Sequence, residues 1–346
     1  MRTLARYAET NVVTRAMLST LLTQHDVDAL VHSSSISEAW GLLCKTEFGT
    51  LLPGDLLHEP LDLELRLRNA SALRFRRSIR RLHGRASAVG NLLLSRWDLD
   101  SLELVLRLWH GKEGATPLLT SQPHFVHDIP FAAISEAQTI EEVITALRGT
   151  PYAEPIAAAS AAYLEKPSVF YLETALEKDH YRRLLAATAA LGGADARVGT
   201  AAVGAEIDML NLAWIARRLE YPHTPLDAAA SALIPGPTVL SRDLTTPGLT
   251  AEHLAELGGR HLEAVLPVSD DTRSGLQRIV MLEQLLGEMA AATAVRQFAQ
   301  YPFTIGCVYS FYILVRLELK NLCAIFAGKA TGVGERDIQA RVQGGR

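Results

Sequence analysis

A short polar-apolar pattern recurs three times in this chain at a constant interval. Asp98, Ser101, Leu102 and Val105 form the first copy, Asp208, Asn211, Leu212 and Ile215 the second, and Glu318, Asn321, Leu322 and Ile325 the third. Each copy begins 110 residues after the one before it. The template reads acid-x-x-(Asn/Ser)-Leu-x-x-(Ile/Val). Arg107 and Arg217 extend it by two places in the first two copies, and Ala327 breaks that extension in the third. An internal repeat constrains a fold more than any local propensity, because each copy must form the same supersecondary unit. Positions i, i+3, i+4 and i+7 lie on one helix face. A stripe that mixes a carboxylate and an amide with Leu and Ile either faces water or buries polar groups that need partners.

The third copy lies in the most helix-like part of the chain. Residues 302–329 open on Pro302, run at helical spacing and reach Gly328, which reads as a C-cap. Between Arg296 and Arg316 the chain carries no charge, an interval about long enough to span a bilayer. Gln297, Gln300, Thr304 and Ser310 fall inside it, and Arg316, Glu318 and Lys320 follow in the same helix, so a buried helix is expected rather than a membrane span.

With 346 residues, three units of this length fill the chain: 1–115, 116–225 and 226–346. Pro117, Pro123 and Pro130 open the second unit, and Pro222, Pro225, Pro235 and Pro237 separate it from the third. Ile140–Tyr152 echoes Ile36–Phe48, each with a Thr two places before the aromatic (Thr46, Thr150). Ser35 with Glu38 reads as a capping box. Long helical patterns cover 56–96, broken by Gly84 and Gly90, then 169–192, 200–220 and 276–300, with shorter ones at 4–23, 249–257 and 262–266. Alternating β-branched runs with hairpin turns are missing, so the fold class is all-α. Cys44, Cys307 and Cys323 are odd in number and form no CxxC, which fits a reducing compartment. The first residues lack the apolar run of a signal peptide, so a cytoplasmic chain is expected.

Candidate chemistry is sparse. His124 and His127 stand in a proline-bounded linker and read as surface histidines, not metal ligands. Gly328-Lys329-Ala330-Thr331 lacks the glycine and the preceding strand of a phosphate loop. Asp270-Asp271 resembles the start of a magnesium-diphosphate motif, but Ser274 stands where a third acid is needed. An acidic first turn for the following helix accounts for the pair. Eight arginines lie between Arg66 and Arg85, interleaved with Leu67, Ala70, Leu73, Phe75, Ile79 and Leu82. A solvated helix face is the first reading of that run, an acidic protein or anionic headgroups the second, nucleic acid the third. The net charge of −4 gives no general pull toward nucleic acid.

The order of these motifs resembles one family. Asp208-Met-Leu-Asn-Leu-Ala-Trp-Ile-Ala-Arg217 is similar to the Asp-x-x-Asn-Leu-x-x-Ile-x-Arg signature of the C subunits of V/A-type ATPases, homologous to the d subunits of vacuolar ATPases. Pro302-Phe-Thr-Ile-Gly306, followed by Glu318-Leu-Lys-Asn-Leu322, resembles that family's Pro-Phe-Ser-Ile-Gly and Glu-x-(Arg/Lys)-Asn-Leu. Arg15–Leu22 and Leu233-Ile-Pro-Gly236 also sit where the family has comparable segments. Ser101 in place of Asn, and Val315-Arg316 in place of Lys-Glu, depart from the pattern.

The resemblance implies three similar helical domains arranged as a funnel. It implies a central-stalk rotor component that couples a rotating shaft to the membrane proteolipid ring, for proton or sodium transport, from the cytoplasmic face. No catalytic residue, cofactor, metal, nucleic acid or small-molecule substrate is implied. A generic helical-repeat scaffold for a soluble partner is the alternative. The expected structural residues are Asp98, Ser101, Arg107, Asp208, Asn211, Arg217, Glu318 and Asn321, with the three acids bonding backbone amides or an arginine to fix how each stripe helix docks.

Overall fold

A computed structural model of the chain describes residues 2–52, 54–55, 59–220, 233–246, 256 and 275–342. Asp270, Asp271, Ser274, the prolines at 222 and 225, and the patterns at 249–257 (Glu256 apart) and 262–266 lie outside the described residues. Every regular element among the described residues is helical.

The first part of the chain folds as α1 (Arg2–Leu18), α2 (Gln24–His32), α3 (Ile36–Leu43), the single turn α4 (Phe48–Leu51), α5 (Pro60–Ile79) and the long α6 (Arg85–Gly111). Thr23 and Asp26 form a full capping box on α2. At α3 the Ser35 hydroxyl accepts the Glu38 N–H, but the Glu38 carboxylate reaches back to the N–H of Ser34 rather than to the cap itself. Gly84, at φ +58, makes the turn into α6, whereas Gly90 lies inside α6 without breaking it. A Cβ at Gly90 would stand 2.9 Å from Leu82 Cδ1, so this glycine lets the turn pack onto the helix.

Next come α7 (Pro117–Thr120), α8 (Phe131–Glu136), α9 (Ile140–Ala146), α10 (Ala153–Glu165), α11 (Val169–Ala189) and α12 (Gly193–Glu220). The echo between α3 and α9 extends to hydrogen bonds. Thr46 Oγ1 accepts the Phe48 N–H and donates to the Leu43 carbonyl, and Thr150 Oγ1 does the same with Tyr152 and Leu147. Both aromatics are buried. The short α13 (Val239–Leu244), then α14 (Gly275–Gln300), α15 (Ile305–Ala330) and α16 (Glu335–Gln339) complete the described elements.

Helix α15 starts later and ends later than its sequence pattern indicates. Thr304 caps it, accepting the Gly306 N–H. Its end is a Schellman motif, with the Val333 N–H bonded to the Gly328 carbonyl and Gly332 at φ +69. Gly328 is therefore not the cap. It lies one turn inside the helix, where a Cβ would meet Ile338 Cγ1 of α16 at 2.6 Å, so its smallness serves packing. The interval 297–315 contains the turn between α14 and α15, and no described helix is long and apolar enough to cross a membrane.

Among the described residues the apolar side chains gather into four clusters. One combines Val27, Leu43, Phe48 and Leu67 with Leu322, Phe326 and Val342, so the two ends of the chain share a core. A second is built from α6 to α11 together with Leu65 of α5, and a third from α12, α13 and α14. The fourth is central, where Phe75, Trp97, Val203, Phe298, Phe311 and Tyr312 bring α5, α6, α12, α14 and α15 together. Phe75 stacks on Trp97 with ring centroids 5.5 Å apart, and Tyr312 meets Trp97 edge-on at 5.7 Å.

Candidate functional site

The repeated stripes lie on α6, α12 and α15. Each acid faces a chain segment that precedes or opens a short helix, and the donors differ from copy to copy. Asp98 is 1% exposed. Its Oδ1 accepts the Phe125 N–H at 2.9 Å, and its Oδ2 accepts those of Val126 at 2.8 Å and His127 at 3.0 Å, in the loop before α8. Burial pushes the pKa of this carboxyl above its ordinary range, against the three amides that favour the anion.

Asp208 is half-buried and takes hydroxyls instead. Thr238 Oγ1, the N-cap of α13, donates at 2.7 Å, and Ser241 Oγ donates to the same oxygen. The backbone grip in this copy comes from Asn211, which is fully buried. Its Nδ2 donates to the Ile234 carbonyl at 2.9 Å, and its Oδ1 accepts the Ile234 N–H at 2.8 Å. The amide thus satisfies both polar groups of one residue, as a neighbouring strand would.

Glu318 closes the set. One oxygen accepts the Leu22 N–H at 2.6 Å, just before α2, and the other accepts Arg74 Nη1. Arg74 is fully buried. Its Nη2 donates to the Thr20 carbonyl at 3.1 Å and stands 2.9 Å from Glu47, and the guanidinium lies 4.6 Å from the Phe48 ring centroid. Burial pushes the Glu318 carboxyl up to about 7, with Arg74 and the Leu22 amide opposing.

The other stripe residues vary more. Ser101 bonds the Trp97 carbonyl of its own helix at 3.1 Å, and Asn321 is buried on α15. Arg107 is half-exposed and pairs with Glu173 of α11. The side chain of Arg217 lies outside the described residues. His124 and His127 belong to the loop held by Asp98: the His124 ring stacks on Phe131, its Nδ1 accepting the Ile129 N–H, and His127 sets its edge on Tyr152.

Two buried polar groupings join the stripe helices, and neither is marked by a motif in the sequence. Arg96 of α6 pairs with Asp100 and with Glu177 of α11, and Arg316 of α15 pairs with the same Asp100. Burial opposes ionisation of Asp100, but Arg316 and Arg96 together hold its carboxyl well below the usual range. Arg316, one of the departures from the family pattern, thus ties α15 to α6. Glu206 of α12 accepts hydroxyls from Tyr181 of α11, at 3.0 Å, and Tyr309 of α15. Arg96 and Asp100 are four apart on α6, but charge spacing gave no hint of their partners Glu177 and Arg316 or of the Glu206 grouping, because those come from separate helices.

A mostly apolar cavity of about 320 Å³ opens between α12, α14 and α15, lined in part by Glu206, Met209, Leu286, Met289, Ser310 and Ile313. Among the described residues no cluster of His, Cys, Asp or Glu has the arrangement of a metal site. The chemistry of this arrangement is mechanical: carboxylates and an amide lock backbone segments, and arginines lock helices to one another.

The family model for the ATP synthase (C/AC39) subunit matches residues 10–341. Similar proteins are the A-type ATP synthase C subunits of three archaea. That of Thermococcus gammatolerans is 26% identical over 321 residues, covering 92% of this chain and 85% of its own. That of Methanosphaera stadtmanae is 23% identical over 337 residues, covering 93% and 84%. That of Methanocaldococcus jannaschii is 23% identical over 346 residues, covering 97% and 86%.

Proposed function

This chain belongs to the ATP synthase (C/AC39) subunit family, and we propose that it works as the central-stalk coupler of its complex, joining the rotating shaft to the membrane proteolipid ring so that rotation and proton or sodium transport are linked. It is a non-catalytic subunit of a V/A-type ATPase. The observation that carries the coupling role is the third grip, in which Glu318 near the end of the chain holds Leu22 near its start.

In each copy, polar groups of a stripe helix hold a segment that precedes or opens a short helix: Asp98 holds 125–127, Asn211 and Asp208 hold Ile234, Thr238 and Ser241, and Glu318 holds Leu22. Three alike units, 1–115, 116–225 and 226–346, would on this reading follow one another in a closed funnel. A body that transmits torque needs such closure, because an open chain of units would flex at its free end. Buried ion pairs between α6, α11 and α15 stiffen it further, since moving one helix would strand a charge. The apolar cavity between α12, α14 and α15 suits insertion of part of a shaft subunit, and the chain would sit on the cytoplasmic face of the membrane.

The reading is tested in membranes that carry the whole complex. Removing this subunit is expected to leave ATP hydrolysis by the detached catalytic part while ATP-driven ion transport is lost, and the full chain is expected to co-purify with shaft and ring subunits. Ion transport at the normal rate without it, or isolation with soluble partners alone, would overturn the coupling role.

A further inference from the structure

The arginine-rich stretch divides into an inner and an outer set. Arg74 is consumed in the buried Glu318 and Glu47 contacts. Arg76, Arg77, Arg80, Arg81 and Arg85 are all exposed, at the end of α5 and the turn into α6, with exposed His83 among them. Arg76 with Arg80, and Arg77 with Arg81, are i,i+4 pairs, so the cations stack along one side of the helix end.

Few acids answer them. Glu47 lies 3.6 Å from Arg77 but already serves Arg74, and Glu9, itself exposed, lies 3.3 Å from Arg81. Arg76 and Arg80 make no ion pair among the described residues. Arg85 reaches over to the Ala190 carbonyl at 2.7 Å, which extends the basic corner to the turn between α11 and α12. A chain of net charge −4 therefore gathers cations at one corner.

The stretch between these arginines offers no apolar anchor. Phe75, Ile79 and Leu82, the large apolar residues between these arginines, are buried. A specific protein interface needs a desolvated core of aromatic or aliphatic anchors inside a polar rim. A surface of guanidinium groups alone suits a planar array of phosphates, which arginine binds by two parallel hydrogen bonds. We propose that this arginine corner is a contact surface for anionic phospholipid headgroups. It goes beyond the coupling role and draws on it only in placing the chain near a membrane. Each arginine close to an anionic leaflet strengthens binding by roughly fivefold, and the effect falls off within a Debye length.

The test is co-sedimentation of the isolated full chain with vesicles of phosphatidylcholine alone or with one-third phosphatidylglycerol, so it can fail while the coupling role stands. Binding is expected to the anionic vesicles only, and to be lost at high salt. Arg76→Gln with Arg80→Gln is expected to weaken it about tenfold or more. Arg242→Gln with Arg336→Gln, which removes the same charge from other exposed positions, is expected to leave it unchanged. The proposal is overturned if the first pair binds like the parent, or if the second pair weakens binding equally. It is also overturned if duplex DNA binds more tightly than the vesicles through Arg76 and Arg80, which would make the corner a nucleic-acid surface.

Discussion

Glu318 and Leu22 stand 296 residues apart in the chain, and the carboxylate of one accepts the backbone N–H of the other at 2.6 Å. The contact joins the last stripe helix to the segment between α1 and α2. Arg74 completes it from α5, so three separate parts of the chain meet at one carboxylate.

Glu318→Ala leaves Arg74 buried with one carboxylate fewer. The expected loss is about 3 kcal/mol, at the low end for a broken buried pair because Glu47 still faces the guanidinium. Chemical denaturation checks it. Glu318→Leu with Arg74→Met should lose less than Glu318→Ala alone, because the one charge left, Glu47, is partly exposed and keeps Arg77 at 3.6 Å.

The same carboxyl gives a pH signature. Its folded value of about 7 lies above the ordinary 4.5, so between those limits the folded state binds more protons than the unfolded chain. Stability contributed by this group therefore falls as pH rises from about 4.5 through 7. Measured against Glu318→Gln, which does not titrate, the parent protein should become relatively more stable as pH is lowered from about 8 toward 5. A parallel pair of stability-pH curves would show that Glu318 titrates normally.

Asp98→Ala removes the acceptor of three backbone N–H groups at once. The expected loss is about 2–4 kcal/mol. Its signature is local: amide hydrogen exchange should quicken at Phe125, Val126 and His127 before it does elsewhere. Unchanged exchange at those amides would mean the loop is held by other contacts, such as the His124–Phe131 stack.

Gly328→Ala puts a methyl group 2.6 Å from Ile338 Cγ1. Alanine favours a helix interior by about 1 kcal/mol, but overpacking costs about 1–3 kcal/mol, so net destabilisation is expected by thermal melting. Ile338→Ala removes a buried side chain and loses about 2–5 kcal/mol by itself, but in that background Gly328→Ala should cost less than it does in the parent. That difference would not appear if Gly328 acted as a cap.

The all-helical class and most helix bodies were legible because they rest on local spacing. The Ser35 cap and the paired Thr46 and Thr150 turns were legible for the same reason. The role of Arg74 was not. Among eight arginines of similar spacing, only the arrival of α15 makes that one an interior residue, while Arg76 and Arg80 beside it stay in water. Gly328 misled for a related reason: a glycine near a helix end suits a cap, yet its place was set by Ile338 from another helix.

By itself the sequence determined where the helices run, which of their positions are apolar, and that an acid recurs on three equivalent helix faces. Periodicity and capping are local, so the order of residue types carries them. Only the tertiary structure decided what each acid holds. Asp98 and Glu318 accept main-chain N–H groups of Phe125, Val126, His127 and Leu22, and nearly every residue carries that donor. A backbone partner leaves no mark in the residue types, so the closure from residue 318 to residue 22 exists only where folding brings the two ends together.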